Sequence, residues 1–121
     1  MKTIKTTQSV ILALSVTAHS NKRNELLSAF RLITNQTLQE KGCLGCRLSR
    51  DIDNENLIYL EETWKHRSYL DDHIHSDIFS ALVGSLEFLG KNHEIRINDF
   101  SGTEKLGAVR SAKSKQNPGN G

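Results

Sequence analysis

This chain has little cysteine, little proline, few aromatic residues and no long apolar run. Its 121 residues contain two Cys, one Pro and seven aromatic side chains, namely one Trp, two Tyr and four Phe. No stretch approaches the ~20 consecutive apolar residues of a membrane-spanning helix, so the sequence predicts no membrane partner. With 36% hydrophobic residues the chain can form one small core. A domain of this size buries only about two-thirds of its unfolded surface, so added burial in a dimer would help it.

A strong charge of either sign is also missing. Sixteen basic and 14 acidic residues give a formal charge of +2, and the two signs are interspersed as far as about residue 100. Much of the basic excess falls in the C-terminal tail. Because no basic patch is interleaved with stacking aromatics, the sequence predicts no nucleic-acid partner.

The two cysteines form a C-x-x-C pair, Cys43 and Cys46, which in other contexts is a redox motif or half of a zinc site. Here the pair enters a strand rather than a helix, and residues three apart on a strand point to opposite faces, with Cα atoms roughly 10 Å apart. No second ligand pair follows. We therefore expect two half-buried small apolar residues rather than a disulfide or a metal site.

The N-terminus allows two interpretations. Lys2 and Lys5 precede an apolar run at 10–14, and Val16-Thr17-Ala18 could serve as a small-residue cleavage site, so a signal peptide is conceivable. The run is short, however, and the same residues alternate as a strand over 9–17. The strand interpretation favours a cytoplasmic protein.

The remaining periodicity predicts a ferredoxin-like α+β domain. A long helix with an apolar stripe begins after an N-cap at Ser20 or Asn21 and ends at Gly42 as its C′ glycine. Ser76 should cap the last helix, which Gly90 ends. The expected order is βαββαβ. In order, the elements are a strand at 9–17, the long helix, strands at 44–51 and 57–65, helices at 66–74 and 77–89, and a strand at 94–100.

Helices cover one face of such a sheet, and the other face should be polar in a monomer. The first strand is apolar on both faces, and the third strand places Leu57 and Tyr59 on the second face. We therefore expect a homodimer in which a second copy covers that face. Residues 1–100 form the predicted domain. The extension at 101–121 could add a packed or edge segment at 106–109, and from about Ala112 its composition predicts disorder.

The segment Tyr59–Phe79 carries the most specific pattern. Glu62-x-Trp64 is followed by His73 and then by Ser76-x-x-Phe79, and the earlier KGCLGCRLSRD at 41–51 is a Gly-Cys-Leu-Gly strand entry. This combination resembles the antibiotic biosynthesis monooxygenase family over roughly residues 9–100. The resemblance implies a dimeric α+β barrel, formed from antiparallel ferredoxin-like sheets. It also implies an enzyme that oxidises phenolic or quinol-type aromatics with O₂ and without a bound metal or flavin.

The resemblance makes His73 the candidate catalytic base, since an imidazole with an unperturbed pKa near 6.5 can accept a proton at neutral pH. As a base at the end of the helix it would be partly exposed and would stabilise the fold by only about 1 kcal/mol. The alternative is a structural histidine that caps carbonyls or fixes a turn, whose loss would markedly lower the melting temperature. Trp64 could stack on an aromatic substrate or anchor the core. Phe79 could contact substrate or pack beside His73.

Glu62 is the third candidate for substrate binding, and a carboxylate inside a barrel needs a partner. It could pair with Arg47 or Arg96 across the sheet, or it could hold His73 in one tautomer. A metal alternative would use His66, His73 and His75, but their spacing does not bring them together on one helix face. The sequence therefore predicts no metal.

Departures from related patterns narrow the reaction. Haem-degrading relatives carry an aromatic where this chain has His73, and their iron-binding His falls at Val83. Leu60 and Leu70 stand near positions where polyketide-type relatives use polar groups. We therefore expect a monooxygenase that oxidises a quinol or phenolic aromatic with O₂ and needs no cofactor. The alternatives are a non-catalytic dimeric stress-response or binding module for a small aromatic, and a purely structural domain.

Overall fold

The computed structural model describes residues 9–99 and 102–106, and within them it forms five strands and three helices. They are, in chain order, β1 (Val10–Ala18), α1 (Arg23–Thr37), β2 (Cys43–Arg50), β3 (Leu57–Trp64), α2 (Arg67–Ile74), α3 (Asp77–Leu89), β4 (Gly90–Asp99) and β5 (Gly102–Lys105). The tail from residue 107, the first eight residues and positions 100 and 101 lie outside the described part. The expectation of disorder from Ala112 therefore stays a prediction.

All five strands join one antiparallel sheet in the order β2-β3-β1-β4-β5. This strand order, with one helix between β1 and β2 and two helices between β3 and β4, confirms the predicted ferredoxin-like α+β fold. β1 lies at the centre, which confirms that residues 10–18 are a strand. β5 extends the sheet from its β4 edge, and the adjoining Leu106 is buried, so the start of the extension packs onto the domain. No helix of the described residues is long and apolar enough to cross a membrane.

The core lies between one face of the sheet and the three helices. In β1 every second residue is buried, and the register places Leu12 opposite Glu62 and Val10 opposite Trp64. α1 contributes its stripe of Leu26, Phe30, Ile33 and Thr37 to the same layer. Burying one such aliphatic or aromatic side chain stabilises the fold by about 1.5–3 kcal/mol. The side chains of β3 that alternate inward, Glu62 among them, are therefore held in the driest layer of the molecule.

The boundaries of α1 differ from the prediction at both ends. Its N-cap position is Lys22 rather than Ser20 or Asn21, because a preceding turn, in which Lys22 N–H donates to His19 O at 2.8 Å, takes up those residues. The helix ends at Thr37, well before Gly42. Gly42 has φ +86° and lies against the Tyr69 ring, where a Cβ atom would clash. A glycine at this position therefore allows the backbone to approach α2 closely, and it does not end α1.

The junction of α2 and α3 follows the prediction. α3 spans the predicted residues and ends before Gly90, and Ser76 is its N-cap. The Ser76 hydroxyl accepts a hydrogen bond from Phe79 N–H at 3.2 Å and donates one to His73 O at 2.6 Å. This one side chain therefore fixes the backbones that carry two of the candidate site residues.

Two β-bulges interrupt the ladders, one in the β2–β3 pairing and one in the β1–β4 pairing, and the sequence predicted neither. Between β2 and β3, Cys43 stands opposite Trp64 and Cys46 opposite Glu62, with a register shift between Cys43 and Gly45. Because Trp64 and Glu62 share the inner face, both cysteines face inward and pack against the core. The expectation that they point to opposite faces was wrong, since an extra residue in a strand reverses the alternation beyond it.

Candidate active site

Glu62, Trp64, His73 and Phe79 come together between the sheet and the helices. Glu62 and Trp64 project inward from the end of β3, His73 lies in the last turn of α2, and Phe79 lies in the first turn of α3. Glu62, Trp64 and His73 have no exposed surface, and Phe79 is 4% exposed. The four residues chosen from the sequence therefore form one buried cluster, although their functional roles stay predictions.

His73 is held by a carboxylate on each ring nitrogen. Its Nδ1 lies 2.8 Å from Oε2 of Glu40, and its Nε2 lies 3.2 and 3.3 Å from Oε1 and Oε2 of Glu62. An uncharged imidazole can donate from one nitrogen only, whereas two carboxylates favour a donor at both. The arrangement therefore suits the imidazolium form, and the expected partly exposed helix-end histidine was wrong.

The pKa of His73 follows from two opposing causes. Burial disfavours the charged ring and lowers its pKa, but the hydrogen bond and charge of Glu62, joined by those of Glu40, outweigh burial and leave the pKa raised. A histidine whose pKa is raised keeps its proton to higher pH, so a smaller fraction of it is present as the free base at neutral pH.

Two aromatic rings enclose His73. The Trp64 ring centroid lies 4.8 Å from the imidazole, and the Phe79 ring lies 5.5 Å away in an edge-to-face arrangement. The Trp64 indole N–H donates to Oε1 of Glu62 at 3.0 Å, which satisfies its polar atom inside the core. Trp64 therefore acts as a core anchor that also orients Glu62, and substrate contact by Trp64 would require a movement of the surrounding side chains.

The partner of Glu62 is His73, one of the options that the sequence left open. Arg47 stands in register with Glu61 on the opposite face of the sheet, and Arg96 bonds to Glu94 at 3.0 Å. Neither arginine approaches Glu62 in the contacts of the described residues. The buried carboxylate is therefore paired with an imidazole rather than a guanidinium, and it accepts a further hydrogen bond from an indole.

Glu40 is the member of the cluster that sequence analysis missed. It lies in the connection between α1 and β2, and its side chain is 22% exposed, so it is the edge of the cluster that meets solvent. It belongs to no periodic pattern and stands 33 residues before His73 in the chain. Its position one residue before Lys-Gly is the only local signal, and that signal indicates a turn.

The other histidines of α2 do not join His73. His75 Nδ1 lies 2.8 Å from the carbonyl oxygen of Asp71, and the His66 ring stacks on Tyr69. Among the residues that the structure describes, no group of three or more His, Cys, Asp and Glu side chains could hold a metal ion. The need for a cofactor is thus left to experiment.

The cysteines lie beside the buried cluster without forming a disulfide. Burial raises the pKa of Cys46 to about 12, with a further contribution from the charge of Glu62. Burial likewise raises the pKa of Cys43, and its thiol donates a hydrogen bond to Gly45 O at 3.5 Å. Because the thiolate is the reactive form, both side chains behave as small apolar residues, as the sequence predicted.

An open cavity of about 460 Å³ adjoins Phe79 on α3. Its lining combines apolar side chains with a few polar ones, the composition usual for small-molecule sites. Its lining residues are Phe79, Val83, Asn92, His93, Glu94, Ile95, Lys105 and Leu106. Since Phe79 also contacts His73, one ring separates this cavity from the buried cluster.

A larger cavity of about 530 Å³ lies between α1 and β2 and includes Arg31 and Arg50. None of the four residues chosen from the sequence lines it. The smaller cavity, by contrast, adjoins Phe79 and through it the Glu62–His73 pair.

Together, the fold and the cluster define a ferredoxin-like α+β protein with a buried carboxylate–histidine centre. The sequence model of the antibiotic biosynthesis monooxygenase family matches residues 9–84, and the chain belongs to that family. Among curated proteins, none matches the chain.

Solved structures share the fold at low identity. A conserved protein from Bacteroides thetaiotaomicron, described as a possible oxidoreductase, is 20% identical with a TM-score of 0.72, over 78% of this chain and 99% of that one. A conserved protein from Methanosarcina mazei is 24% identical with a TM-score of 0.71, over 78% and 95%. A candidate antibiotic biosynthesis monooxygenase from Deinococcus radiodurans is 21% identical with a TM-score of 0.69, over 73% and 88%.

Proposed function

We propose that this protein is a monooxygenase that oxidises a quinol or phenolic aromatic with O₂ and requires no bound metal or flavin. The observation that carries the proposal is the buried Glu62–His73–Trp64 cluster, which lies directly behind a wall of an open, largely apolar cavity. Membership in the family supports the reaction class. The composition of the cavity supports an aromatic substrate, and the cluster supports a reaction that moves protons.

For this reaction the protein must bind the ring, help remove a proton and exclude water. Deprotonation makes a quinol electron-rich enough to pass an electron to O₂ directly. With a simple hydroquinone, one oxygen atom enters the ring, the other leaves as water, and the substrate supplies all the electrons. The protein's own groups therefore need to manage protons and position only.

His73 is our proposed proton acceptor at the inner end of the site. Because both of its nitrogens face carboxylates, it can accept the proton only in its uncharged form, in which one ring nitrogen donates to a carboxylate and the other carries a lone pair. Phe79 separates the imidazole from the cavity, so a substrate reaches it only when the Phe79 side chain changes rotamer. Glu40, being partly exposed, returns the proton to water.

Oxygen uptake tests the function. Purified protein is screened against reduced quinones and phenols, with and without EDTA, and consumption that survives EDTA is expected for at least one hydroquinone. His73→Ala should lower kcat per folded molecule by roughly 100-fold. His75→Ala, on the same helix, is the matched control and should leave kcat unchanged. An inert panel would contradict the proposal, as would activity that requires an added metal.

A non-catalytic binding module for a small aromatic is the second candidate. It is favoured by the complete burial of His73 and Trp64, because an enzyme needs its reacting groups to meet substrate. This candidate predicts that aromatics bind and protect the fold from heat without oxygen consumption. Thermal shift and oxygen uptake measured on the same compounds separate the two.

We also propose a cytoplasmic homodimer in which a second copy covers the open face of the sheet. That face carries half-buried Ile11 and Ala13 and a Tyr59 that is 37% exposed, next to polar neighbours. Covering these side chains would remove apolar surface from water, which favours association. Light scattering at micromolar concentration should give twice the chain mass of 13.6 kDa. A stable monomer would rule out the dimeric barrel.

A further inference from the structure

We propose that the cavity beside Phe79 binds the phenol or quinol ring and that His93 takes the first proton from the bound hydroxyl. The inference rests on the proposed function and names the substrate site of that reaction. Sequence analysis did not select His93, because the predicted fourth strand began only at residue 94.

A β-bulge places His93 at this cavity. The β1–β4 ladder pairs Ser15 with Glu94 and Thr17 with Lys91, so two residues of β4, Asn92 and His93, stand opposite a single residue of β1. Asn92 has φ +54°, the left-handed conformation that Asn tolerates better than most residues. Bulges of this kind re-aim a side chain and are frequent beside active sites. Strain at this point of β4 therefore has a ready functional explanation.

The cavity suits a flat ring that carries a hydroxyl group. Its volume of about 460 Å³ lies within the range of small-molecule sites. α3 supplies the apolar Phe79 and Val83, and the strands supply Ile95 and the buried Leu106. A ring can therefore lie against four apolar side chains while its hydroxyl meets the polar residues of β4 and β5.

His93 is the polar lining group that is available to a ligand. Glu94 bonds to Arg96 at 3.0 Å and to Lys105 at 3.2 Å, and those cations lower its pKa. Within the part of the chain that the structure describes, His93 has no hydrogen bond or ion pair. The charged groups that face it across the cavity are Glu94 and Lys105, since α3 adds apolar side chains there.

The proposed step is a simple proton transfer. The substrate O–H bond breaks, the proton binds an unprotonated ring nitrogen of His93, and the electron pair stays on the oxygen as a phenolate. Nothing is oxidised or reduced in this step. The ammonium group of Lys105 at the rim favours the anion that forms. A quinol has a second hydroxyl, whose proton is left for the His73 cluster.

A chromogenic phenol tests the step without turnover. 4-Nitrophenol is yellow only as its phenolate, and it lacks the electron-rich ring that reacts with O₂. At a pH equal to the probe's own pKa, which lies above the unperturbed imidazole pKa of about 6.5, adding the protein should increase the yellow absorbance as the probe binds. His93→Gln should reduce the phenolate fraction of the bound probe several-fold, whereas His19→Gln, at an exposed position of the β1–α1 turn, should not.

Val83→Phe narrows the cavity and should weaken probe binding at least several-fold, with Val83→Trp as a second variant if the first folds poorly. The proposal is overturned if the probe does not bind, if it binds without becoming yellow, or if His93→Gln leaves the colour unchanged. A failure of the monooxygenase proposal alone would give a different result. The probe would still ionise through His93, but no oxygen would be consumed with any quinol. Oxygen uptake that is insensitive to His93→Gln would refute the site and leave the function intact.

Discussion

His73, which packs on Phe79, and His93, which lines the same cavity as Phe79, occupy opposite environments. His73 is fully buried, with both nitrogens held by carboxylates and its pKa raised, whereas His93 lines an open cavity without a partner among the described residues. A histidine that is hydrogen-bonded through both nitrogens contributes to stability and holds a positive charge inside the core. A side chain that is free on one side can meet a ligand. The comparison shows that the more specific sequence pattern marks the fixed histidine and not the accessible one.

The largest expected effect is on stability. His73→Ala removes the shared partner of two carboxylates, and breaking a buried ion pair costs about 3–5 kcal/mol in the free energy of unfolding. His93→Ala should change the free energy of unfolding by less than about 0.5 kcal/mol, as is usual for a side chain without hydrogen-bond or ion-pair partners among the described residues. Urea denaturation of both variants measures the contrast. Equal losses of unfolding free energy in the two variants would contradict the assignment of a structural role to His73 alone.

That prediction reverses an expectation from the sequence. A partly exposed His73 would have contributed only about 1 kcal/mol, so His73→Ala would have cost little stability. The structural role of His73 does not exclude the catalytic role that we propose for it. Activity of the variant must therefore be expressed per folded molecule, at a temperature where the folded fraction has been measured.

The second effect is the pH dependence of stability. The pKa of His73 is raised in the folded protein, so its contribution to stability is fully present below the unfolded histidine pKa of about 6.5. That contribution is lost as pH rises through the folded pKa. Urea midpoints of the wild type should therefore fall over this window more steeply than those of His73→Gln. Parallel curves would show that His73 titrates as it does in the unfolded chain.

A smaller effect separates the two carboxylates. Glu40→Gln keeps the shape of the contact but removes a charge, so the pKa of His73 should fall, and stability should drop by about 1–3 kcal/mol. Glu61→Gln, on the other face of β3, is the control and should leave the His73 titration unchanged. NMR titration of the imidazole measures both. An unchanged His73 pKa in Glu40→Gln would remove Glu40 from the cluster.

The smallest expected effect concerns the cysteines. Cys43→Ala and Cys46→Ala should each cost about 1–2 kcal/mol of packing and leave any activity within a few-fold. Because burial raises the pKa of Cys46 to about 12, iodoacetamide should label the native protein far more slowly than the urea-unfolded chain. Rapid native labelling, or stoichiometric zinc in the purified protein, would contradict this reading.

Features of the fold that depend on local periodicity could be predicted from the sequence, and those at interruptions of that periodicity could not. Alternation located β1 and β3, the Ser76 cap located α3, and Glu62, Trp64, His73 and Phe79 were all chosen correctly as neighbours. The inward direction of both cysteines and the position of His93 depend on bulges. A bulge adds one residue, reverses the alternation and leaves only weak traces in sequence, here Gly45 and Asn92. Glu40 was missed because a long-range contact from a connecting loop has no period at all.

The Ser76 hydroxyl bridges two helices and therefore acts as a mechanical linkage. It holds the carbonyl of His73 at the end of α2 and the amide of Phe79 at the start of α3. A ligand that displaced the Phe79 backbone together with its ring would move this hydrogen-bonded link and with it the last turn of α2. That displacement would reach the imidazole between Glu40 and Glu62 without any atom of the ligand touching it. Occupancy of the cavity and protonation of the buried centre would then be coupled through one oxygen atom.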